Sequence, residues 1–503
     1  MKVIILSAGV GSRLRPVTDL KPKCLVTVCG IPILHHQIQT MKDCSVEESS
    51  IYIVGGYCAN MISGYLSKNF PETKPIVNEK YETTNNMYSL WTGLEKIKFE
   101  KDDDLIIMNG DCVYDKEILN DIIKQKNGNY ISYDKGSYRV ESMKITTEAG
   151  RVLEISKKIS KEKASGNSID LYRMEQEVVK TLHNQIKTSY LEKGEVMKWN
   201  EYAINDLLPK YHFNALNVRG RRWSEIDDFD DLKEAQIKFS TLDMDAKKCI
   251  ISDLDGTVYI GDRQIENAVN WIRAQKEKRQ IFFLSNNTSK TPVEYVKKLE
   301  SFLIETDENR VITPLRAALK EISQRTNGKI MLLANKKVER YIRNVLPNAE
   351  FSSKWDECGT LFLCYDDEMT YEKLKNAALL LQNKKNVRYI ATHSDMICPT
   401  ENGFIPDIGS LIKILEIVSQ RVPDMVFGKP NPKLVEEILK KYSKEEILLI
   451  GDRLYTDFAL AKNIGCDFVC VLSGETTLES IESGKQPIPN LYLDDMGELK
   501  RFE

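Results

Sequence analysis

Short apolar runs recur along the 503-residue chain, each closed by a polar or glycine-bearing turn. Residues 3–6, 50–54, 105–108 and 130–133 are runs of this kind and predict buried strands. Between them, residues 32–41 and 87–97 place apolar side chains at helical spacing. Strand and helix patterns that alternate in this way predict an α/β protein with a mainly parallel sheet. Residues 156–168 are rich in Lys, Ser and Gly and predict an exposed loop. A closing helix is expected over 229–238, followed by a short polar connector.

The pattern then starts again. KCIISDLDGT, residues 248–257, is an apolar run that ends in acidic and glycine residues, and 281–284 and 447–450 repeat the form. Residues 330–333 and 360–365 belong to a separate alternation between those parts, which predicts a module inserted into a single core. The expected organisation is a domain over 1–240, a connector over 241–248, a core built from 249–302 and 421–503, and an insert over 303–420. A length of 503 residues agrees with more than one domain.

Composition narrows the classes of function. The net charge is −3, from 71 basic and 74 acidic residues, so no global field favours nucleic acid. No apolar run approaches the ~18–20 residues of a membrane span. Residues 1–10 read as a strand rather than a signal peptide, because glycine and arginine follow at once. The eleven cysteines show neither C-x-x-C nor zinc spacing, which suits free thiols in a reducing cytoplasm.

The first candidate site is residues 4–25, IILSAGVGSRLRPVTDLKPKCL. Gly9 and Gly11 let backbone N–H groups approach an anion, while Arg13, Arg15 and Lys23 add positive charge. A dinucleotide fingerprint fails because Leu14 stands where the third glycine belongs, and G-x-x-x-x-G-K-[ST] is absent. Carboxylates that could hold a divalent ion come later. Asp111 ends the run LIIMNGD, and Glu225 and Asp227 lie two residues apart, on one side of an extended segment. Asp228, Asp230 and Asp231 read instead as an acidic helix start.

The combination L-S-A-G-x-G-S-R-L-R-P with P-K-x-L resembles the nucleotidyltransferases that join a nucleoside triphosphate to a small phosphate compound. ETTNNMYSLWTGL (82–94) and the E-I-D ending resemble the choline-phosphate and aminoethylphosphonate cytidylyltransferases within that family. The resemblance covers about residues 1–240 and implies a Rossmann-like nucleotidyltransferase domain. It implies that Leu6, Ser7, Ala8, Gly9, Gly11, Ser12, Asn85, Asn86 and Asp111 bind the nucleotide. By the same resemblance Arg13 holds the β- and γ-phosphates and Lys23 sits between the α-phosphate and the attacking phosphate. Asp111, Glu225 and Asp227 would hold Mg²⁺. Tyr88 and Trp91 offer aromatic faces to a cationic head group, with core packing as the equal alternative; for Lys157 and Lys158 a solvated loop is the preferred reading.

The second candidate site starts at D-L-D-G-T, 253–257. Two carboxylates at a strand end suit phosphoryl transfer, one attacking phosphorus and one handling the leaving-group proton. Ser285, Asn286 and Asn287 follow the apolar run IFFL, Lys429 lies in FGKPNP, and Asp452 and Asp457 lie in LLIGDRLYTD. This set resembles the haloacid-dehalogenase (HAD) phosphatases, and the placement of the insert together with ATHSDMICPTENGFIPDIGS (391–410) resembles their NagD-type subgroup. The resemblance implies a Rossmann-like core with an α/β (C2-type) cap. Asp253 would be the nucleophile and Asp255 the general acid/base; Ser285, Asn286 and Lys429 would hold phosphate. Asp253, Asp452 and the backbone carbonyl of Asp255 would bind Mg²⁺, with Asp457 in support. His393, Ser394 and Asp395 are cap residues placed to meet substrate, or to form a cap turn.

Together these readings imply a bifunctional enzyme that uses Mg²⁺ at both sites. One half would transfer CMP from CTP to a small phosphorylated alcohol such as phosphocholine or glycerol phosphate. The other would hydrolyse a phosphate ester through an aspartyl-phosphate. Two alternatives stay open: a sugar-1-phosphate nucleotidyltransferase using UTP or GTP beside the same phosphatase, or one half acting as a nucleotide sensor. The partners implied are small phosphorylated molecules, with no nucleic acid and no membrane span, and a homo-oligomer is left open.

Overall fold

The computed structural model describes residues 1–101, 103–400 and 403–503. The chain divides into two compact units, Met1–Ser240 with Glu482–Gly484, and Thr241–Ile481 with Lys485–Glu503. Among the described residues no helix is long and apolar enough to cross a membrane.

The first unit is built on a nine-stranded sheet. Its order is Lys74–Val77, Ile51–Gly55, Lys2–Ser7, Leu105–Asn109, Gly166–Met174, Asn129–Lys135, Phe213–Asn217, Arg151–Ser156 and Lys144–Glu148. The strand Lys2–Ser7 is apolar at consecutive positions because both its faces are covered. Ile4 and Leu6 join Met87, Leu90 and Leu94 of the helix Asn86–Leu94, while Val3 and Ile5 join Leu34, Ile38 and Met41 of the helix Ile33–Asp43. Each such buried aliphatic side chain contributes about 1.5–3 kcal/mol.

The expectation of a mainly parallel sheet holds for the first four strands in that order, which are mutually parallel, and for the pair Asn129–Lys135 and Phe213–Asn217. Gly166–Met174 runs antiparallel to both its neighbours, Leu105–Asn109 and Asn129–Lys135, so the sheet is mixed. The loop expected over 156–168 is also shorter than its composition suggested. Ser156 ends one strand and Gly166–Ser168 begin another, fully buried. Polar residues belong to a strand here because Gly166 lies against backbone, where a Cβ would stand 2.1 Å from the carbonyl oxygen of Asp134.

The second unit has a six-stranded parallel sheet in the order Val311–Ile312, Gln280–Leu284, Cys249–Asp253, Ile447–Gly451, Asp467–Val471 and Tyr492–Leu493. Between Val311–Ile312 and Ile447–Gly451 the chain forms a second, four-stranded parallel sheet: Lys329–Leu333, Cys358–Leu363, Arg388–Ala391 and Met425–Val426. Strand pairing shifts both ends of the insert from the expected 303–420. Val311–Ile312 pairs with Gln280–Leu284 of the core, and Met425–Val426 pairs with Arg388–Ala391 of the insert. Of the 391–410 motif, Glu401 and Asn402 lie outside the described residues.

Candidate functional sites

In the first unit the turn after Lys2–Ser7 is held by glycine. Gly11 has φ +69, its carbonyl accepts from the Thr18 hydroxyl at 2.9 Å, and a Cβ there would stand 3.0 Å from the Lys23 Cβ. This close approach brings Lys23 back beneath the turn. Its Nζ donates to Asp111 Oδ2 at 2.7 Å and to Asp227 Oδ1 at 2.8 Å, while Arg13 meets Asp227 Oδ2 at 2.8 Å. Asp111 reaches this point because it follows Leu105–Asn109. Glu225 and Asp227 reach it because Trp223–Glu225 pairs with Cys112–Tyr114 in the register Glu225↔Cys112. Asp228 caps the helix Phe229–Phe239 by accepting from the Asp231 N–H, which is the helix-start role read for it.

Beside this constellation opens a cavity of about 300 Å³. Leu6, Ala8, Gly9, Arg13, Asn85, Asn86, Asp111, Glu225 and Asp227, all expected at the nucleotide or metal site, line it. Ser7 does not. Its hydroxyl is buried, and a Cβ on Gly110 would stand 2.0 Å from it, so only its backbone is available to a ligand. Gly11 and Ser12 shape the turn, and Lys23 bridges the carboxylates, without forming the wall. Tyr88 and Trp91 pack against each other at 5.5 Å and are not wall residues; the aromatic wall residues are Tyr81 and Trp199, with Lys157 4.4 Å over the Trp199 ring. Lys157, read as solvated, is therefore exposed and on the cavity rim at once.

Among the wall residues that escaped sequence reasoning are two buried carboxylates. Asp170 and Glu201 are buried, and Tyr172 O–H lies 3.2 Å from Asp170 Oδ1 and 3.0 Å from Glu201 Oε1. One hydroxyl can donate to only one of them. Asp170 sits at φ +54 where the pairing of Gly166–Met174 with Asn129–Lys135 shifts register. A non-glycine residue held in that region marks stored strain at a site. The signal available in the sequence was a single carboxylate inside the apolar stretch SIDLY, and another inside WNEYAI.

Burial is the main cause that pushes the carboxyls of this floor upward. Glu225 rises to about 9, with repulsion from Asp170, Asp111 and Asp227 adding to burial, and Glu201 rises to about 7. Asp170 is driven well above the carboxylate range by burial, then by Glu201 and Asp111. Asp227 goes the other way: burial raises it, but Lys23 and Arg13 outweigh burial and hold it low. All three raised values exceed the ordinary value near ~4, so the folded unit keeps protons that the unfolded chain has released. These three groups therefore contribute stability in acid that is lost as pH rises from about 5 through 7 to 9, while the lowered Asp227 contributes only at the acid end in the opposite sense. Thermal unfolding of the ligand-free protein across that range should show a falling melting temperature, and Glu225→Gln should flatten its alkaline part. A melting temperature that climbs with pH would contradict this.

In the second unit, neighbouring strand tips assemble the other site. The register Asp253↔Leu284 places Ser285 just beyond Asp253, and Asp452 follows Ile447–Gly451 on the opposite side. Lys429 Nζ donates to Asp253 Oδ1 at 2.5 Å and to Asp457 Oδ1 at 2.6 Å, all three groups being buried. Asn286 accepts from the Lys429 N–H at 2.7 Å, and Ser285 Oγ lies 3.1 Å from the Tyr295 hydroxyl. Asp255 is exposed on the turn after Asp253. Burial raises the Asp253 carboxyl, Lys429 opposes this, and Asp457 and Asp452 reinforce it; burial and Asp457 raise Asp452 to about 6. The two carboxylates keep the Lys429 ammonium charged against its burial.

Ligand oxygens of Asp253, Asp452 and Asp457 lie within 4.8 Å of one another. Asp452 Oδ2 accepts from the Glu475 N–H at 2.7 Å, whereas its Oδ1 is buried with no hydrogen-bond partner among the described residues. An orphaned carboxylate oxygen in an all-oxygen cluster fits a hard divalent cation such as Mg²⁺. Asp457, read as a supporting residue, belongs to this cluster but is also the second partner of Lys429.

Comparison with known proteins agrees with both halves. The nucleotidyl transferase family matches residues 2–241, the haloacid dehalogenase-like hydrolase family matches 250–345, and a HAD-hydrolase-like family matches 426–499. An acid sugar phosphatase of Staphylococcus haemolyticus is 31% identical over 247 residues, 48% of this chain and 91% of that protein. The 5′-nucleotidase YutF of Bacillus subtilis is 30% identical over 258 residues, 51% and 98% of the two chains. A crystal structure of a Thermotoga maritima 4-nitrophenylphosphatase is 33% identical, covers 51% of this chain and 97% of its own, and has a TM-score of 0.47. The chain belongs to the haloacid dehalogenase-like hydrolases and carries in front of them, over residues 2–241, a nucleotidyl transferase domain.

Proposed function

We propose that the first unit transfers CMP from CTP to a small phosphorylated alcohol with a cationic head, phosphocholine being the model acceptor, and that the second is a Mg²⁺-dependent phosphatase. The observation that carries the acceptor reading is the buried pair Asp170 and Glu201 on the cavity wall, for which no salt bridge is found among the described residues. Burial favours the protonated form of both carboxyls, and an ammonium group bound against them beside Trp199 would draw them into the charged form and pair with it. The neutral ring of a sugar phosphate offers no such charge, and glycerol phosphate would use only the hydrogen bonds.

In this reading a phosphate oxygen of the acceptor attacks the α-phosphorus of CTP, the bond to the β-phosphate breaks, and pyrophosphate leaves. Lys23 turns its ammonium from Asp111 and Asp227 to the α-phosphate and the incoming phosphate, and Arg13 takes the β- and γ-oxygens. Asp111, Glu225 and Asp227 would hold Mg²⁺, which supplies positive charge for the transition state. Pyrophosphate release across four nucleoside triphosphates and a panel of acceptors tests this. Turnover should be highest with CTP and phosphocholine. Turnover confined to hexose 1-phosphates with UTP or GTP would replace this reading by the sugar one.

In the second unit Asp253 attacks the substrate phosphorus, and Asp255 gives a proton to the departing alcohol. Water, deprotonated by Asp255, then releases phosphate from the aspartyl-phosphate. Ser285, Asn286 and Lys429 hold the phosphate oxygens, and Asp253, Asp452 and the Asp255 carbonyl would hold Mg²⁺. The free cysteines suit a cytoplasmic protein. Gly474 gives a further test, because a Cβ there would stand 2.0 Å from Asp452 Oδ2. Gly474→Ala should displace that carboxylate and lower kcat on 4-nitrophenyl phosphate by about 100-fold. An unchanged kcat at saturating Mg²⁺ would remove Asp452 from the metal site.

A further inference from the structure

We propose that His393, Asp395 and Asp407 bind a first-row divalent transition ion, with Zn²⁺ the best match, where the insert returns toward the core. His393 and Asp395 follow the strand Arg388–Ala391, and Asp407 caps the helix Ile408–Ser419. One ligand atom from each of the three residues falls within 4.8 Å of the others. His393 is only 1% exposed and lies between the two carboxylates: Nδ1 is 3.9 Å from Asp395 Oδ2, and Nε2 is 3.6 Å from Asp407 Oδ1.

Both separations are too long for hydrogen bonds. Nε2 is buried without a partner among the described residues, and neither carboxylate has a lysine or arginine ion pair among them. Nδ1 accepts from the Asp395 N–H at 3.4 Å, so Nε2 is the nitrogen left to ligate. Donors ~2.0–2.2 Å from one tetrahedral ion stand roughly 3.3 Å apart, so atoms now within 4.8 Å of one another must close by at most about 1.5 Å to share one. One imidazole and two carboxylates, with a position left for water, form an open zinc-type donor set; the nitrogen disfavours Mg²⁺ and Ca²⁺.

The outer contacts suit the same role. Asp407 Oδ1 accepts from the Ile408 N–H at 2.7 Å, and Asp395 accepts from Asn286 Nδ2 at 3.2 and 3.3 Å, which fixes the ligand carboxylates. Asn286 in turn accepts from the Lys429 N–H, so an ion here would tie the insert to the loop that carries Lys429. The set is separate from the all-oxygen cluster of Asp253, Asp452 and Asp457.

The test uses the full chain, stripped with a chelator and then titrated with Zn²⁺ in excess Mg²⁺, which occupies the all-oxygen sites. Bound zinc is counted by elemental analysis and affinity is read by calorimetry. The wild type should bind one Zn²⁺ more than His393→Ala, and bound Co²⁺ should lose a ligand-field band in that variant. Asp407→Asn, which keeps the helix cap, should lose the same equivalent and serves if His393→Ala does not fold. Equal zinc content in wild type and variants, or an affinity change under about tenfold, overturns the site. So does a wild type that binds no zinc.

Discussion

Asp253→Asn is expected to lower hydrolysis of 4-nitrophenyl phosphate by about 10⁴-fold or more, with pyrophosphate release in the transferase assay unchanged. An amide cannot attack phosphorus, and nothing else at that strand tip can replace the carboxylate. Lys429 retains Asp457 at 2.6 Å, and the carboxyl lost is one that burial already disfavours in its charged form. The variant should therefore fold, with a melting temperature close to that of the wild type. This separates loss of the nucleophile from loss of the fold. Residual hydrolysis within tenfold of wild type would mean that Asp253 is not the attacking group. Loss of both activities together would mean that the substitution damages the whole chain.

The second large effect is expected from Lys23→Met, which should reduce CMP transfer by about 10³-fold while leaving phosphatase activity intact. The reason lies in what Lys23 holds in the ligand-free protein. Its ammonium is the shared partner of Asp111 and Asp227, and these two carboxylates keep it protonated despite burial. Incoming phosphates offer the same negative charge, so the group exchanges one set of oxygens for another without being desolvated again. Lys23→Arg should not restore the rate. The Lys23 stem packs 3.0 Å from where a Cβ on Gly11 would be, and a planar guanidinium does not fit beneath that turn. Wild-type transfer rates in Lys23→Arg would show that bulk positive charge is enough and that the position of the ammonium is not.

Much of both sites was legible as local pattern. A buried strand covered on both faces must be apolar at consecutive positions, and polar chemistry can enter only where the strand ends. Asp111, Asp253, Ser285 and Asp452 stand at such ends, so run-then-carboxylate or run-then-hydroxyl marks them. The turn at Gly9–Gly11 is equally local, because only glycine meets its backbone demand at φ +69 without strain. The boundaries of the insert were less legible. Two-residue strands such as Val311–Ile312 and Met425–Val426 carry too few residues for a periodicity, and their sheet is chosen by the neighbour they pair with.

What the order of residues determined here is the set of strands, the phosphate turn and the carboxylates that follow strands, since each is imposed on the chain within a few residues. What only the tertiary structure decided is which distant side chains meet. Asp170 faces the cavity because its strand shifts register after Ser168, and Glu201 joins it through Tyr172. His393 reaches Asp407 only because a hairpin, Ile397–Thr400 with Gly403–Pro406, folds the intervening chain back on itself. Sheet register and chain return are fixed by the sum of many packing contacts, none of which leaves a mark at the residues it brings together.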